Sequence, residues 1–257
     1  MAKALFSLDG DAGEIVIADP PLNLFDLELL SDLANAAEEA RDSTARAILV
    51  RAEGDNFSGG ANVEIFLGRD EAAARELIAG FMPTIRRFTE IKVPTVAAVH
   101  GLCFAAGLEV ALTCDLIWAA QDAQLGLLEG VIGATPFGGG TQRVVARAGA
   151  GRAAEAVLTA RPYAAQTMLE WGVVNRVVPN EDLHEKARAF VRRLASGPTL
   201  AHAATKRIIQ LTVDKGVAAA DAALPEIGAK VMASEDLQNG ARTLVEKGPG
   251  QATFEGR

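Results

Sequence analysis

The sequence predicts an α/β core followed by a helical C-terminal part. Short apolar runs rich in β-branched residues alternate with stripes of helical period as far as about residue 178, and beyond it only helical patterns continue. In the middle, Thr95 to Ala120 (TVAAVHGLCFAAGLEVALTCDLIWAA) reads as strand, small-residue turn, helix and second strand. The rest of the chain is arranged around that stretch.

Taken in order, Leu5–Leu8 and Glu14–Ala18 read as two strands joined by the turn Asp9-Gly10-Asp11-Ala12-Gly13. Pro20, Pro21 and Asn23 make a rigid connection, and Asp26 is placed to cap a helix with Leu30, Leu33, Ala34 and Ala37 on one face. Ala47–Val50 is the next buried strand, followed by a polar loop that ends in Phe57-Ser58-Gly59-Gly60-Ala61-Asn62. From Asp70 a helical stripe runs through Leu77, Ile78, Phe81, Ile85 and Phe88, with a kink expected at Pro83. Within the central stretch the strands are Thr95–Val99 and Leu116–Ala120, and the helix runs from Leu108 to Leu112. Ala123–Leu127 is a short extended piece leading directly to Glu129, and Thr135-Pro136-Phe137-Gly138-Gly139-Gly140-Thr141-Gln142-Arg143 turns into another helix. Arg152–Thr159 and Ala164–Trp171 read as helices, the second stopped by Gly172, and Val173–Val178 as a strand ended by Pro179. The remainder is helical: Asp182–Leu194, Leu200–Thr212, an Ala-rich stretch around 217–224, and Asp236–Glu246. The expected division is an α/β core over 1–195 and a helical region over 196–257.

Composition narrows the function classes. A net charge of −8 with no Lys/Arg run argues against a nucleic-acid footprint or an anionic membrane surface. No apolar run reaches the ~20 residues that span a bilayer, and acidic residues stand too early at the N-terminus for a targeting peptide. Cys103 and Cys114, both in apolar surroundings, read as packing residues of a reducing compartment. The expectation is a cytoplasmic protein with no nucleic-acid or membrane partner. His100, His184 and His202 lack ligand-like spacing, so no metal is expected.

Three places carry chemistry. At Ala105-Ala106-Gly107 a strand feeds a helix through residues with little or no side chain, so the unpaired N–H groups of the helix start are approachable by a ligand. Glu109 follows in its first turn, where a carboxylate can also serve simply to complement the helix dipole. Ser58-Gly59-Gly60-Ala61 lacks the pattern of a phosphate loop and reads either as a flexible turn or as a second patch of exposed N–H groups. Glu129, set among Gly126, Leu127, Leu128, Gly130, Val131 and Ile132, would be partly buried, and such a carboxylate is paired, protonated or catalytic unless it caps a short helix.

The ordered set FSGGANVEIF, VHGLCFAAGLEVALTCDLI, LGLLEGVIGATPFGGGTQRV and WGVVNRVVP resembles the crotonase family, the enoyl-CoA hydratase/isomerase superfamily, over nearly the whole chain. The resemblance implies a crotonase-like (ClpP/crotonase) spiral of ββα units with a helical C-terminal trimerisation region, assembled as a homotrimer or a hexamer made of two trimers. It implies an acyl-CoA thioester whose carbonyl oxygen is held by the backbone N–H groups of Ala61 and Ala106. Glu109 and Glu129 fall at the positions of the two acids of enoyl-CoA hydratases: the first helps activate water and the second gives a proton to C2. Contacts to substrate and coenzyme A are implied for Leu22, Leu24, Gly60, Ala61, Asn62, Val63 and Gly107, and for Lys247, which approaches the nucleotide of a neighbouring subunit. No separate cofactor is implied, since coenzyme A enters as part of the substrate. The chain departs from the family's frequent pattern at Leu128, where Pro often stands before the second acid, at Asn62, where Asp is frequent, and at Ala105-Ala106-Gly107, where three glycines are frequent. The expected activity is hydration of the C2–C3 double bond of a 2-enoyl-CoA. The alternatives are an isomerase or acyl-CoA hydrolase of the same superfamily, and, from another class, a non-catalytic scaffold or RNA-binding homologue.

Overall fold

The computed structural model describes residues 2–257, with nine strands and ten α-helices among them. Six strands lie side by side in the main sheet, in the order β1 (Ala4–Asp9), β2 (Ala12–Ile17), β3 (Ala47–Ala52), β4 (Thr95–Val99), β6 (Leu116–Ala120) and β9 (Arg176–Val178). β1 and β2 form an antiparallel hairpin, and every later pairing is parallel. All five residues of β4 are buried, as a strand covered on both faces requires. A second, small sheet runs β5 (Leu102–Phe104), β7 (Gln124–Gly126), β8 (Tyr163–Ala164).

The helices are α1 (Leu27–Asp42), α2 (Glu71–Glu90), α3 (Ala106–Ala111), α4 (Gly140–Ala148), α5 (Ala150–Thr159), α6 (Ala165–Glu170) and α7 (Leu183–Ala195), then α8 (Thr199–Lys215), α9 (Val217–Met232) and α10 (Glu235–Lys247). Asp26 caps α1 by accepting from the Leu29 N–H, and Asp70 caps α2 by accepting from the Ala73 N–H. Each cap satisfies a donor that has no partner inside its helix. α1 turns Leu29, Leu33 and Ala37 into the core and packs on β1 and β2, and α7 lies across β2, β3, β4 and β6. Pro83 lies within α2 without ending it. The expected boundary at 195/196 falls between α7 and α8.

Several elements differ from the sequence expectations, each for a local reason. β5 and β8 have three and two residues, too short to show a period of their own. The strand expected over 173–178 is confined to Arg176–Val178. The N–H groups of Val173 and Val174 both donate to the Met168 carbonyl, closing the end of α6. α3 begins at Ala106, two residues before the expected start, because the helix forms at once after the turn at Ala105.

The C-terminal helices are tied to the core by a buried cation. Lys206 of α8, 8% exposed, places Nζ 2.8 Å from Asp115 and 3.1 Å from the Val93 carbonyl. Asp115 also accepts from the N–H and hydroxyl of Thr95, so the charge is surrounded by polar partners. Large apolar side chains stay exposed on these helices, among them Ile209, Val213, Val217, Met232, Leu244 and Val245.

Candidate active site

The site grows from two turns that lock together. The segment before Ala61 runs alongside β5: Ser58 N–H donates to the Leu102 carbonyl at 2.8 Å, and Phe104 N–H donates to the Ser58 carbonyl at 3.0 Å. The Ser58 hydroxyl is fully buried, donates to the Asn23 carbonyl at 2.8 Å and accepts from Gly60 N–H at 3.0 Å. Gly60 has φ +106°, and a Cβ there would stand 3.0 Å from the Cβ of Ala105. Two residues beyond Ala105, a Cβ on Gly107 would fall 2.5 Å from that of Ser58. Only glycine permits both approaches.

This interlock sorts the backbone donors. Gly59 N–H donates to Leu22, Asn62 N–H to Phe25 and Ala105 N–H to Gly126. Among the described residues, the N–H groups of Ala61 and Ala106 have no hydrogen-bond partner, and α3 has no side-chain cap. Ala105 stands at φ +47°, ψ −120°, a conformation that alanine adopts at a cost and that sets the direction of the Ala106 N–H.

Both N–H groups belong to residues on the wall of one cavity of about 260 Å³, and so do both glutamates. The remaining wall is largely apolar, with Phe25, Phe66, Phe81, Ile85, Val110, Leu128, Ile132 and Phe137. A hydrophobic recess holding a few convergent polar groups is the form of a small-molecule site.

Glu109 sits in α3, 5% exposed, and its Oε1 accepts from Gly140 N–H at 2.8 Å. Burial pushes its carboxyl above the usual range, against the N–H groups of Gly140 and Gly138 and the charge of Arg143, which favour the ionised form. Glu129 opens the 3₁₀ turn Glu129–Ile132 directly after β7 and is half-buried. Its Oε2 is buried with no hydrogen-bond partner among the described residues. Burial raises its pKa to about 7, opposed by its own backbone N–H and reinforced by the negative charge of Glu109. The two carboxylates therefore share a site but not an environment: one is held by N–H groups, and the other has an oxygen free to act on a ligand.

Of the site residues expected from sequence, Ala61, Val63, Ala106, Glu109 and Glu129 line the cavity. The others do not. Leu22 and Leu24 flank Gly59, and Asn62 accepts from Glu64 N–H at the start of the 3₁₀ turn Val63–Phe66. Gly60 and Gly107 act through the close approaches already described. Lys247 ends α10, exposed and away from the cavity wall. Sequence reasoning missed the buried hydroxyl of Ser58, the Gly138–Gly140 turn around Glu109, and the aromatic wall. The run of three glycines before a helix was the available signal for the second of these. Among the described residues, no group of three or more His, Cys, Asp or Glu side chains could hold a metal ion, and no helix is long and apolar enough to cross a membrane.

Comparison with known proteins points the same way. The model of the enoyl-CoA hydratase/isomerase family matches residues 10–257. A probable enoyl-CoA hydratase of Mycobacterium tuberculosis is 30% identical over 257 residues, covering 97% of each chain. A carnitinyl-CoA dehydratase of Proteus mirabilis is 28% identical over 244 residues, covering 93% of each. The crystal structure of enoyl-CoA hydratase subunit I from Geobacillus kaustophilus superposes with a TM-score of 0.93 at 30% identity, over 99% of this chain and 98% of the other. The matching family model, the relatives at this coverage and the shared fold establish that the chain belongs to the enoyl-CoA hydratase/isomerase family, the crotonase superfamily.

Proposed function

We propose that the protein is an enoyl-CoA hydratase, a hydro-lyase that adds water across the C2–C3 double bond of a 2-enoyl-CoA. The observation that carries this reading is the presence of two glutamates with different environments on the same cavity wall as two unpartnered N–H groups. The thioester carbonyl oxygen lies against the N–H groups of Ala61 and Ala106. Attack at C3 moves the π electrons onto that oxygen, and preorganised donors stabilise the developing enolate by ~2.7–4 kcal/mol each. Glu109, ionised, accepts a proton from the water whose oxygen bonds to C3. Glu129, with a pKa near neutrality, delivers the proton that C2 takes up as the enolate collapses. Solvent exchange then restores both carboxyl groups, and the balance is one water consumed. Coenzyme A takes part only as a portion of the substrate, and no further cofactor enters the scheme. The reverse elimination runs through the same groups, which fits the dehydratases found among the relatives. The test is mass analysis of 2-enoyl-CoA thioesters of several chain lengths after incubation with the protein. A product heavier by one water supports the proposal, and recovery of every substrate unchanged rules it out.

A further inference from the structure

The turn that grips Glu109 is itself gripped from behind. Arg143, one turn into α4, folds back so that Nη1 donates to the carbonyls of Gly138 and Gly139, 3.1 Å from each. Gly139 stands at φ +88°, and a Cβ there would lie 2.2 Å from that same Nη1, so glycine is what lets the guanidinium close on the turn. The opposite side of the turn faces Glu109. Gly140 gives its N–H to Oε1, and a Cβ on Gly138 would fall 2.8 Å from Oε2. The carboxylate, the turn and the guanidinium form a stack of three layers.

A neutral amide could hold two carbonyls equally well, so the positive charge calls for its own explanation. Arg143 is only partly exposed and, among the described residues, forms no ion pair. The acids facing it are Glu109 from α3 and Asp214 from α8, and Arg147 lies one turn further along α4. Among the described residues, the charged groups that act on Glu109 are Glu129 and Arg143. Among the described residues, the charge that acts on Glu129 is that of Glu109. The guanidinium charge favours the ionised form of Glu109, alongside the N–H groups of Gly140 and Gly138.

We propose that Arg143 is a positioning residue for Glu109: its guanidinium locks the Gly138–Gly140 turn against the carboxylate, and its charge adds to the N–H groups of that turn in keeping Glu109 the ionised, proton-accepting member of the pair while Glu129 holds the proton. The assignment of acceptor and donor rests on the hydratase reading, whereas the clasp and its electrostatic effect do not.

The experiment is a carboxyl titration by NMR of protein carrying ¹³C at the glutamate δ carbons. The Glu109 and Glu129 signals are identified from Glu109→Gln and Glu129→Gln. In wild type, Glu109 should ionise at lower pH than Glu129. In Arg143→Gln the Glu109 midpoint should rise by about one pH unit, the lower end of the usual effect of an adjacent opposite charge, while Arg143→Lys should keep it near wild type. Turnover of Arg143→Gln should fall by ~10²-fold with a far smaller change in KM, as expected when a catalytic group is misplaced. A purely structural arginine would lower the melting temperature and leave the midpoints where they were. An unchanged Glu109 midpoint in folded Arg143→Gln would overturn the proposal. Ionisation of Glu129 before Glu109 in wild type would do so as well, and that arm needs no variant at Arg143 to fold. The titration requires no turnover, so a protein inactive on 2-enoyl-CoA would sink the hydratase reading and leave this result legible.

Discussion

Gly60 and Ala105 belong to turns separated by a helix and two strands, yet a Cβ on the glycine would come within 3.0 Å of the Cβ of the alanine. That proximity brings the N–H groups of Ala61 and Ala106, each one residue further on, to a single cavity wall. Ala105 takes its place at a cost, since φ +47° with ψ −120° is a conformation in which a side chain is disfavoured.

Removing that side chain should release the strain. Ala105→Gly is expected to stabilise the protein by about 1 kcal/mol, the balance of relieved backbone strain and the added freedom of glycine in the unfolded chain. A melting temperature raised by roughly 2–4 °C is the corresponding change for a chain of this size. A lowered melting temperature would show that the Ala105 methyl stabilises the turns through its contact with Gly60 more than it strains them.

Glu129 links the site to the pH dependence of stability. Its pKa rises from the ordinary 4.5 to about 7 on folding, chiefly through burial. Below pH 4.5 the carboxyl is protonated in both states and contributes no difference. Between 4.5 and about 7 the folded protein retains a proton that the unfolded chain has released, so stability falls as pH rises, and above about 7 the loss is complete. Glu129→Gln cannot ionise. Its melting temperature relative to wild type should therefore climb across that window and level off above it. Parallel melting curves from pH 4 to pH 8 would contradict the assigned shift.

The exposed apolar residues of α8, α9 and α10, including Ile209, Val213, Val217, Leu224 and Met232, are more than a solvated helical region needs. We expect them to be covered by copies of the same chain in a homotrimer, or in a hexamer of two trimers. Sedimentation equilibrium at micromolar concentration should give a mass three or six times that of the 26.9 kDa chain. A stable monomer would contradict it.

Much of this arrangement was legible before any coordinates, because its signals are local. Asp26 stands just before an apolar helical stripe and caps it as that placement suggests, and the stripe read from Asp70 onward is α2. The continuous apolar runs of β4 and β6 read directly as buried strands. What stayed hidden depends on contacts between distant segments. β5 is three residues long and exists because Ser58 and Gln124 lie on either side of it. The hydroxyl of Ser58 reaches the Asn23 carbonyl 35 residues away, and no pattern along the chain announces it. Glu109 and Glu129 stood out as carboxylates in apolar surroundings, but the difference between them arises from Gly140, which reaches Glu109 and not its neighbour.

The paired roles of those two carboxylates are the centre of the account, and one measurement addresses them most directly: the loss of conjugated enoyl-thioester absorbance on adding wild type, Glu109→Gln or Glu129→Gln to short, medium and long 2-enoyl-CoA. Wild type should bleach the absorbance, and each variant should be slower by ~10²–10⁴-fold, the range for losing one acid–base group. The double variant should be little worse than the poorer single one, because groups acting as a unit do not add. A one-base isomerase would be crippled by Glu129→Gln, only mildly slowed by Glu109→Gln, and would prefer a 3-enoyl-CoA. Wild-type protein that leaves the absorbance unchanged at every chain length would contradict the hydratase account outright.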